Sequence, residues 1–413
     1  MKFLCSSIVR IRANFFVIAC ILVVFALPYS IRLTSISIMV MLIAWLMQSN
    51  LKALISKLTC KMWVTTSTVP FYALTLLSLV YTNDRGAGLF ELEKGVTLLL
   101  FPILFTASNQ LSNEAIYKIL WAFIISNLSL GLISILHATY CFFYKNINIF
   151  FYHDLVEIFD SHATYYSLYL IFSLVALFYL YSKKQVPWSP RLTVGSITLF
   201  FTILICLLGA RSTVFIFLFV SLISILVYMI KSRSVVLGGV LMIGFFLLVF
   251  FLINGNSNLR ERIIQLKDYK YELSQNHVEG YNGLTTRLAQ WEASMPIIKE
   301  YPIFGVGVGD VQDKLQETYK RHFLKYSYLE RFNAHNEYVQ TMLGLGFIGL
   351  IIFLFALLYP FIQAYRKREV VYMCFIALFA YCCITESALH VQKGIVFYSF
   401  FNSLFLSKIL KNN

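Results

Sequence analysis

Three side chains in this sequence have the types and settings that proton transfer and anion binding require. His335 stands in the run Ala334-His335-Asn336-Glu337-Tyr338. An imidazole titrates near neutral pH and can take a proton from a hydroxyl. Arg287 follows Thr286, and Arg211 stands in the turn Leu208-Gly209-Ala210-Arg211-Ser212-Thr213. Their guanidiniums suit phosphate-like anions, which they hold through paired N–H donors. His335 and Arg211 lie beside apolar segments, where a charge is costly and tends to be kept for function, and Arg287 lies in the polar stretch before His335. Lys94 is a fourth candidate, placed inside an apolar run but within ~8 Å of its end at 1.5 Å rise per residue.

Each also has a plainer reading. An arginine at a membrane interface often snorkels or meets lipid phosphate. A lone histidine at a helix start is usually a cap or a packing residue. Arg287 on an amphipathic helix would face water, and Lys94 can pair with Glu91 or Glu93. What favours chemistry is the convergence of all four on one face of a membrane protein.

That face follows from composition and pattern. Hydrophobic residues make up 59% of the 413, charged residues 13%, and the mean hydropathy is +0.73. These values lie outside the soluble range. A spanning helix needs about 20 largely apolar residues, and twelve such segments are expected. They fall at 14–30, 33–48, 62–81, 89–107, 115–137, 161–182, 192–209, 212–230, 235–253, 336–364, 369–387 and 394–410. The first follows Lys2, Arg10 and Arg12 without a clear small-residue cleavage site, so it reads as an uncleaved anchor. Spans one to nine form a first unit, 1–253; a mostly polar stretch, 254–335, interrupts the pattern; 336–413 holds the last three spans.

Lys and Arg set the orientation. With the N-terminus inside, the inner segments carry seventeen of them, against Arg32, Arg85, Lys145, Arg211 and Lys393 in the short outer loops. Both termini are therefore expected in the cytoplasm and the long loop outside. The net charge of +14 reads as a topology signal spread over the inner segments, and no nucleic-acid partner is expected.

The long loop is nearly neutral, with eleven basic and ten acidic residues. Thr285 or Thr286 is placed to cap a helix that presents Arg287, Trp291 and Met295 as one stripe, with Pro296 expected to kink or end it. Asp310 is placed to cap a second amphipathic helix reaching about Tyr328. Between them Gly305-Val306-Gly307-Val308-Gly309-Asp310 reads as a tight turn against the membrane domain. It follows a helix, which argues against a dinucleotide site.

None of the eight cysteines lies in the long loop, and they form no disulfide or zinc pattern. The seven histidines have no metal-ligand spacing, and the Asp154, Glu157 and Asp160 cluster is not specific for a cation. No metal site and no cofactor is expected.

The run His335-Asn336-Glu337-Tyr338, followed by Gly344-Leu345-Gly346-Phe347-Ile348-Gly349-Leu350, resembles the signature of the bacterial O-antigen ligase and polymerase superfamily. So does Arg287-x-x-x-Trp291 followed by Pro302-x-x-Gly305-x-Gly307, and Gly209-Ala210-Arg211-Ser212 is similar to that family's small-residue–arginine turn. Ala210 departs from the serine that many relatives have there. Twelve spans with one long outer loop before the last three match the ligase pattern along the whole chain.

The resemblance implies an all-α polytopic membrane protein with a GT-C-like architecture and a periplasmic helical loop. It implies a metal-independent inverting glycosyltransferase that moves O-antigen from undecaprenyl diphosphate to a hydroxyl of lipid A–core oligosaccharide, at the outer face of the inner membrane. Arg211 and Arg287, with Lys94 as a third, would stabilise the diphosphate leaving group, and His335 would be the general base. The two arginines would favour its neutral form. Trp291, Asn336, Glu337 and Tyr338 would contact sugar or support the site, and Glu337 is a candidate to orient the imidazole. O-antigen polymerase and protein O-oligosaccharyltransferase are the nearest alternatives. A lipid-linked saccharide flippase is a further one, although charges near the midplane, which transporters use, are not evident.

Overall fold

The computed structural model describes residues 2–48, 67–108, 111–187, 189–232, 242–244 and 283–411. Of the expected span at 235–253 only residues 242–244 are among these, and the loop residues 254–282 lie outside the described residues. Among the described residues the ordered elements are helices, with no strand. In chain order the helices begin α1 (Lys2–Ala26), α2 (Ile31–Gln48), α3 (Val69–Ser78), α4 (Arg85–Gly95), α5 (Thr97–Ala107), α6 (Asn113–Lys145), α7 (Ala163–Ser182), α8 (Pro190–Leu208) and α9 (Arg211–Ser232). The loop supplies α10 (Gly283–Glu300), α11 (Val311–Arg321) and α12 (Lys325–Leu329), and the chain returns through α13 (Glu337–Arg366), α14 (Val370–Thr385) and α15 (Gln392–Lys411).

Four described helices, α6, α7, α8 and α13, are long and apolar enough to cross a membrane, and shorter apolar stretches lie in α1, α2, α3, α9 and α14. The segment expected at 89–107 as one span is two helices. They meet at Val96, and only α5 is apolar throughout. α4 carries Arg85, Glu91, Glu93 and Lys94, too much charge for a lipid-embedded helix.

The core gathers around α7 and α15. Phe123 of α6, Phe172 of α7, Phe375 of α14, and Phe397, Phe401 and Phe405 of α15 interlock with ring centroids 4.8–6.4 Å apart. Such pairs contribute about 0.5–1.5 kcal/mol each beyond the area they bury. The aromatic mass fixes how α14 and α15 stand against α6 and α7, and so where the connection between α14 and α15 emerges.

The long loop is joined to the membrane helices by backbone pairing. α13 is interrupted at Gly346 (φ 65°, ψ −161°). At the interruption Val306 N–H and Gly307 N–H donate to the Leu343 and Gly344 carbonyls at 2.8 and 3.0 Å, and Phe347 N–H donates to Pro302 O at 2.8 Å. The groups freed by the break are thus satisfied by the loop, as burial demands. A Cβ on Gly346 would lie 2.3 Å from the Ile303 carbonyl, and one on Gly305 2.5 Å from Gly344 C. The glycine runs are there for this close approach, in keeping with the expected turn.

Three local expectations change. α10 begins at Gly283, ahead of Thr285, and passes through Pro296 to end at Glu300. Its buried stripe is Ala289, Ala293 and Ile297, packed on Val311, Leu315 and Tyr319, whereas Met295 is exposed. Asp310 precedes α11 but makes no side-chain cap bond. Its carboxylate accepts instead from Asn83 N, Asp84 N and Asn83 Nδ2 at 2.8–3.0 Å, clamping the loop to the start of α4.

Candidate active site

His335 precedes α13 in a left-handed conformation (φ 45°). For a residue with a branched ring side chain this costs on the order of 1–3 kcal/mol and persists only where neighbours over-determine it. Here they do. His335 N–H donates to Asn333 Oδ1 at 2.9 Å, Ala334 N–H to Gln340 Oε1 at 3.0 Å, and the Trp291 indole N–H to Ala334 O at 2.9 Å. Asn333 Oδ1 also accepts from Ser387 Oγ at 3.3 Å, which ties the histidine to the connection between α14 and α15.

That connection supplies Glu386. Its Oε1 accepts from Arg287 Nη2 at 2.8 Å and its Oε2 lies 3.5 Å from His335 Nδ1. Burial pushes the Glu386 carboxyl up. The hydrogen bond from His335 and the charge of Arg287 outweigh it and hold the group below the usual carboxylate range. With Nδ1 turned to the carboxylate, the lone pair of a neutral His335 lies on Nε2, as a general base needs. The carboxylate also faces His162, the residue that caps α7 by accepting from Thr164 N–H at 3.4 Å.

The structure therefore brings Arg287 and His335 together through a carboxylate that the sequence reading did not single out. The arginines were expected to act on the imidazole alone, whereas the structure sets the Glu386 carboxylate between Arg287 and His335. The signal available in the sequence was an acid at the end of an apolar segment, Thr385-Glu386-Ser387. The 369–387 span enclosed it.

Arg211 is half-buried and opens α9 directly after Gly209, whose left-handed backbone (φ 51°) ends α8. α9 packs on α7 and α14, the helices that lead to His162 and Glu386. The end of α8 is held by Tyr152 N–H donating to Leu207 O at 3.2 Å. From there the rings of Tyr152, His153 and His162 follow one another at 3.9 and 4.0 Å.

The remaining candidates make internal contacts. Asn336 caps α13 by accepting from Val339 N–H at 3.1 Å, and Tyr338 donates its hydroxyl to Ala380 O at 3.0 Å. Glu337 is fully buried and accepts from Leu389 N–H at 2.8 Å and from the Thr341 hydroxyl at 3.2 Å. It meets His390 rather than His335, 3.7 Å from Nε2. Lys94 pairs with Glu91, the first of its two anticipated partners, and Glu91 in turn holds His390 Nδ1 at 3.0 Å. Around one end of the bundle there are thus two linked polar groups, Arg287–Glu386–His335 and Lys94–Glu91–His390–Glu337.

Residues 194–354 match the family model described as O-Antigen ligase. The match supports membership of the O-antigen ligase/polymerase superfamily. The matched stretch contains Arg211, Arg287, Trp291 and His335 and ends before Glu386 and His390. With the apolar helices, it supports a membrane-embedded enzyme of the glycosyltransferase or ligase type acting on polysaccharide and lipid-linked substrates. No curated protein matches the chain.

Proposed function

We propose that this protein is an O-antigen ligase. It transfers O-antigen polysaccharide from undecaprenyl diphosphate to a hydroxyl of lipid A–core oligosaccharide at the periplasmic face of the inner membrane. Both termini lie in the cytoplasm and the 254–335 loop lies in the periplasm. The observation that carries the reading is the Arg287–Glu386–His335 arrangement in a chain whose 194–354 stretch matches the ligase family.

His335 Nε2 takes the proton of the acceptor hydroxyl as its oxygen bonds to the anomeric carbon of the donor sugar. The bond from that carbon to the diphosphate oxygen breaks with inversion, and undecaprenyl diphosphate leaves with the electron pair. Glu386 holds the ring by Nδ1 and offsets the imidazolium charge that forms. Arg211 and Arg287 meet the charge that develops on the diphosphate, where fixed donors stabilise the transition state most. Arg287 gives one edge of its guanidinium to Glu386 and keeps other N–H donors for phosphate.

The test is complementation of a ligase-deficient strain with matching core and O-antigen. The wild-type gene and its His335→Ala, Arg211→Ala and Arg287→Ala forms are compared at equal verified expression, on membrane-polysaccharide gels. A ladder of long lipopolysaccharide with the wild type, lost in all three variants, is expected. A ladder that survives all three overturns the site. No ladder from the wild type, at good expression, moves the assignment to polymerase, protein O-oligosaccharyltransferase or transporter.

A further inference from the structure

Glu386 belongs to the connection 386–391, which leaves α14 at Thr385 and enters α15 at Gln392. The carboxylate is useful only if this connection is held in one place, and its far end is held by charge. His390 lies between two carboxylates from different helices. Nδ1 is 3.0 Å from Glu91 Oε2 of α4, and Nε2 is 3.7 Å from Glu337 Oε1 in the first turn of α13. The first contact is within hydrogen-bond distance and the second is an ion-pair approach, and both carboxylates favour the charged ring. The other oxygens are taken by donors as well, Glu91 Oε1 by Lys94 Nζ and Glu337 Oε2 by Leu389 N–H. Lys94 also donates to the His390 carbonyl at 3.3 Å.

A small cavity beside the clamp is lined by Glu91, Gln340, Thr341 and His390 among apolar neighbours. Burial pushes the His390 ring toward its neutral form, but Glu337 and Glu91 carry it above its ordinary range.

We propose that His390 is a positioning residue for the Glu386–His335 pair. Clamped as a cation between Glu91 and Glu337, it fixes the 386–391 connection and thereby the carboxylate that orients the base. The catalytic part of this inference rests on the ligase reading above, whereas the coupling between His390 and His335 does not.

The experiment uses the full-length protein in lipid nanodiscs as wild type, His390→Gln, Glu386→Gln and the double variant. Glu91→Gln, which loosens the clamp from the other side, replaces His390→Gln if that protein is not monodisperse. The first readout is the rate at which diethyl pyrocarbonate modifies His335, followed by peptide mass spectrometry, which requires no substrate. His390→Gln and Glu386→Gln should each change this rate by about three-fold or more, and the double variant should go no further than Glu386→Gln, as residues acting through one group do not add. An unchanged rate, or additive changes, overturns the coupling.

The second readout is kcat and KM for polymer transfer from an undecaprenyl-diphosphate donor. In His390→Gln kcat should fall on the order of 10²-fold, as expected when a reacting group is displaced by about 1 Å. KM should hold nearly steady, and the double variant should match Glu386→Gln. A loss confined to KM overturns the positioning role. A wild type that transfers nothing overturns the ligase reading, while the modification rates still decide on His390.

Discussion

Trp291 and Ala334 are joined by an indole N–H donated to a backbone carbonyl at 2.9 Å. The bond connects the helix that carries Arg287 to the residue just before His335, so the guanidinium and the imidazole are set relative to one another by the backbone as well as by Glu386. Trp291→Phe keeps an aromatic ring and removes this donor together with part of the indole's volume. It should lower kcat about ten-fold with KM little changed, since misplacement of a base is felt in the transition state. Steady-state kinetics on the purified variant would check it, and an unchanged kcat would show that the backbone bond does not set the histidine.

Arg287→Lys retains the charge and loses the planar fork that serves Glu386 and an anion together. A loss on the order of 10²-fold in kcat/KM is expected, the size typical for removing one transition-state donor. Full activity in this variant would mean that a point charge suffices there.

The His390 clamp has a pH signature in stability. Its folded-state pKa lies above the ordinary value because Glu337 and Glu91 outweigh burial, with Lys94 acting against them. The stabilisation is therefore complete below the unfolded value of about 6.5 and is lost as pH rises through the higher folded value. The apparent melting temperature of the detergent-solubilised protein should fall as pH rises from about 6.5 into the alkaline range. His390→Asn should flatten that fall. A fall of the same size in the variant would assign it to other groups.

At the loop junction, Gly346→Ala meets the Ile303 backbone and a positive φ at once. Overpacking of this kind costs about 1–3 kcal/mol, and a backbone obstacle cannot rotate away. Poor accumulation in the membrane, or a melting temperature lowered by several degrees, is expected. A neutral outcome would mean that α13 and the 302–307 stretch can separate without penalty.

Much of this was legible because it is local. Apolar runs give the helices, and His335, Arg287 and Arg211 are conspicuous as polar groups at their edges. The glycine pattern at 305–309 announced a close approach, and the partner it approaches is the Gly344–Gly346 interruption of α13. What could not be read is pairing across the chain. Glu386 reaches Arg287 over 99 residues, and Asp310 gives its carboxylate to Asn83 and Asp84, 227 and 226 residues away. Spacing made Asp310 look like a helix cap, but three donors from α4's leading turn outbid one cap bond. His390 likewise gains the carboxylate it shares with Lys94 only once α4 and the 386–391 connection are packed together.

The pairing of residues 302–307 with the interruption in α13 bears on how this enzyme can be recombined with its relatives. The stretch from Arg287 to Gly346 is one cassette, stitched to itself at both ends, with Trp291 on Ala334 at one and Val306 on Leu343 at the other. Yet its carboxylate partner lies outside it, on the 386–391 connection. A chimera that imports the loop without the segment after α14 would inherit His335, the proposed base, without the Glu386 carboxylate that meets it. Exchange of acceptor or donor specificity should therefore succeed only when the two pieces travel together.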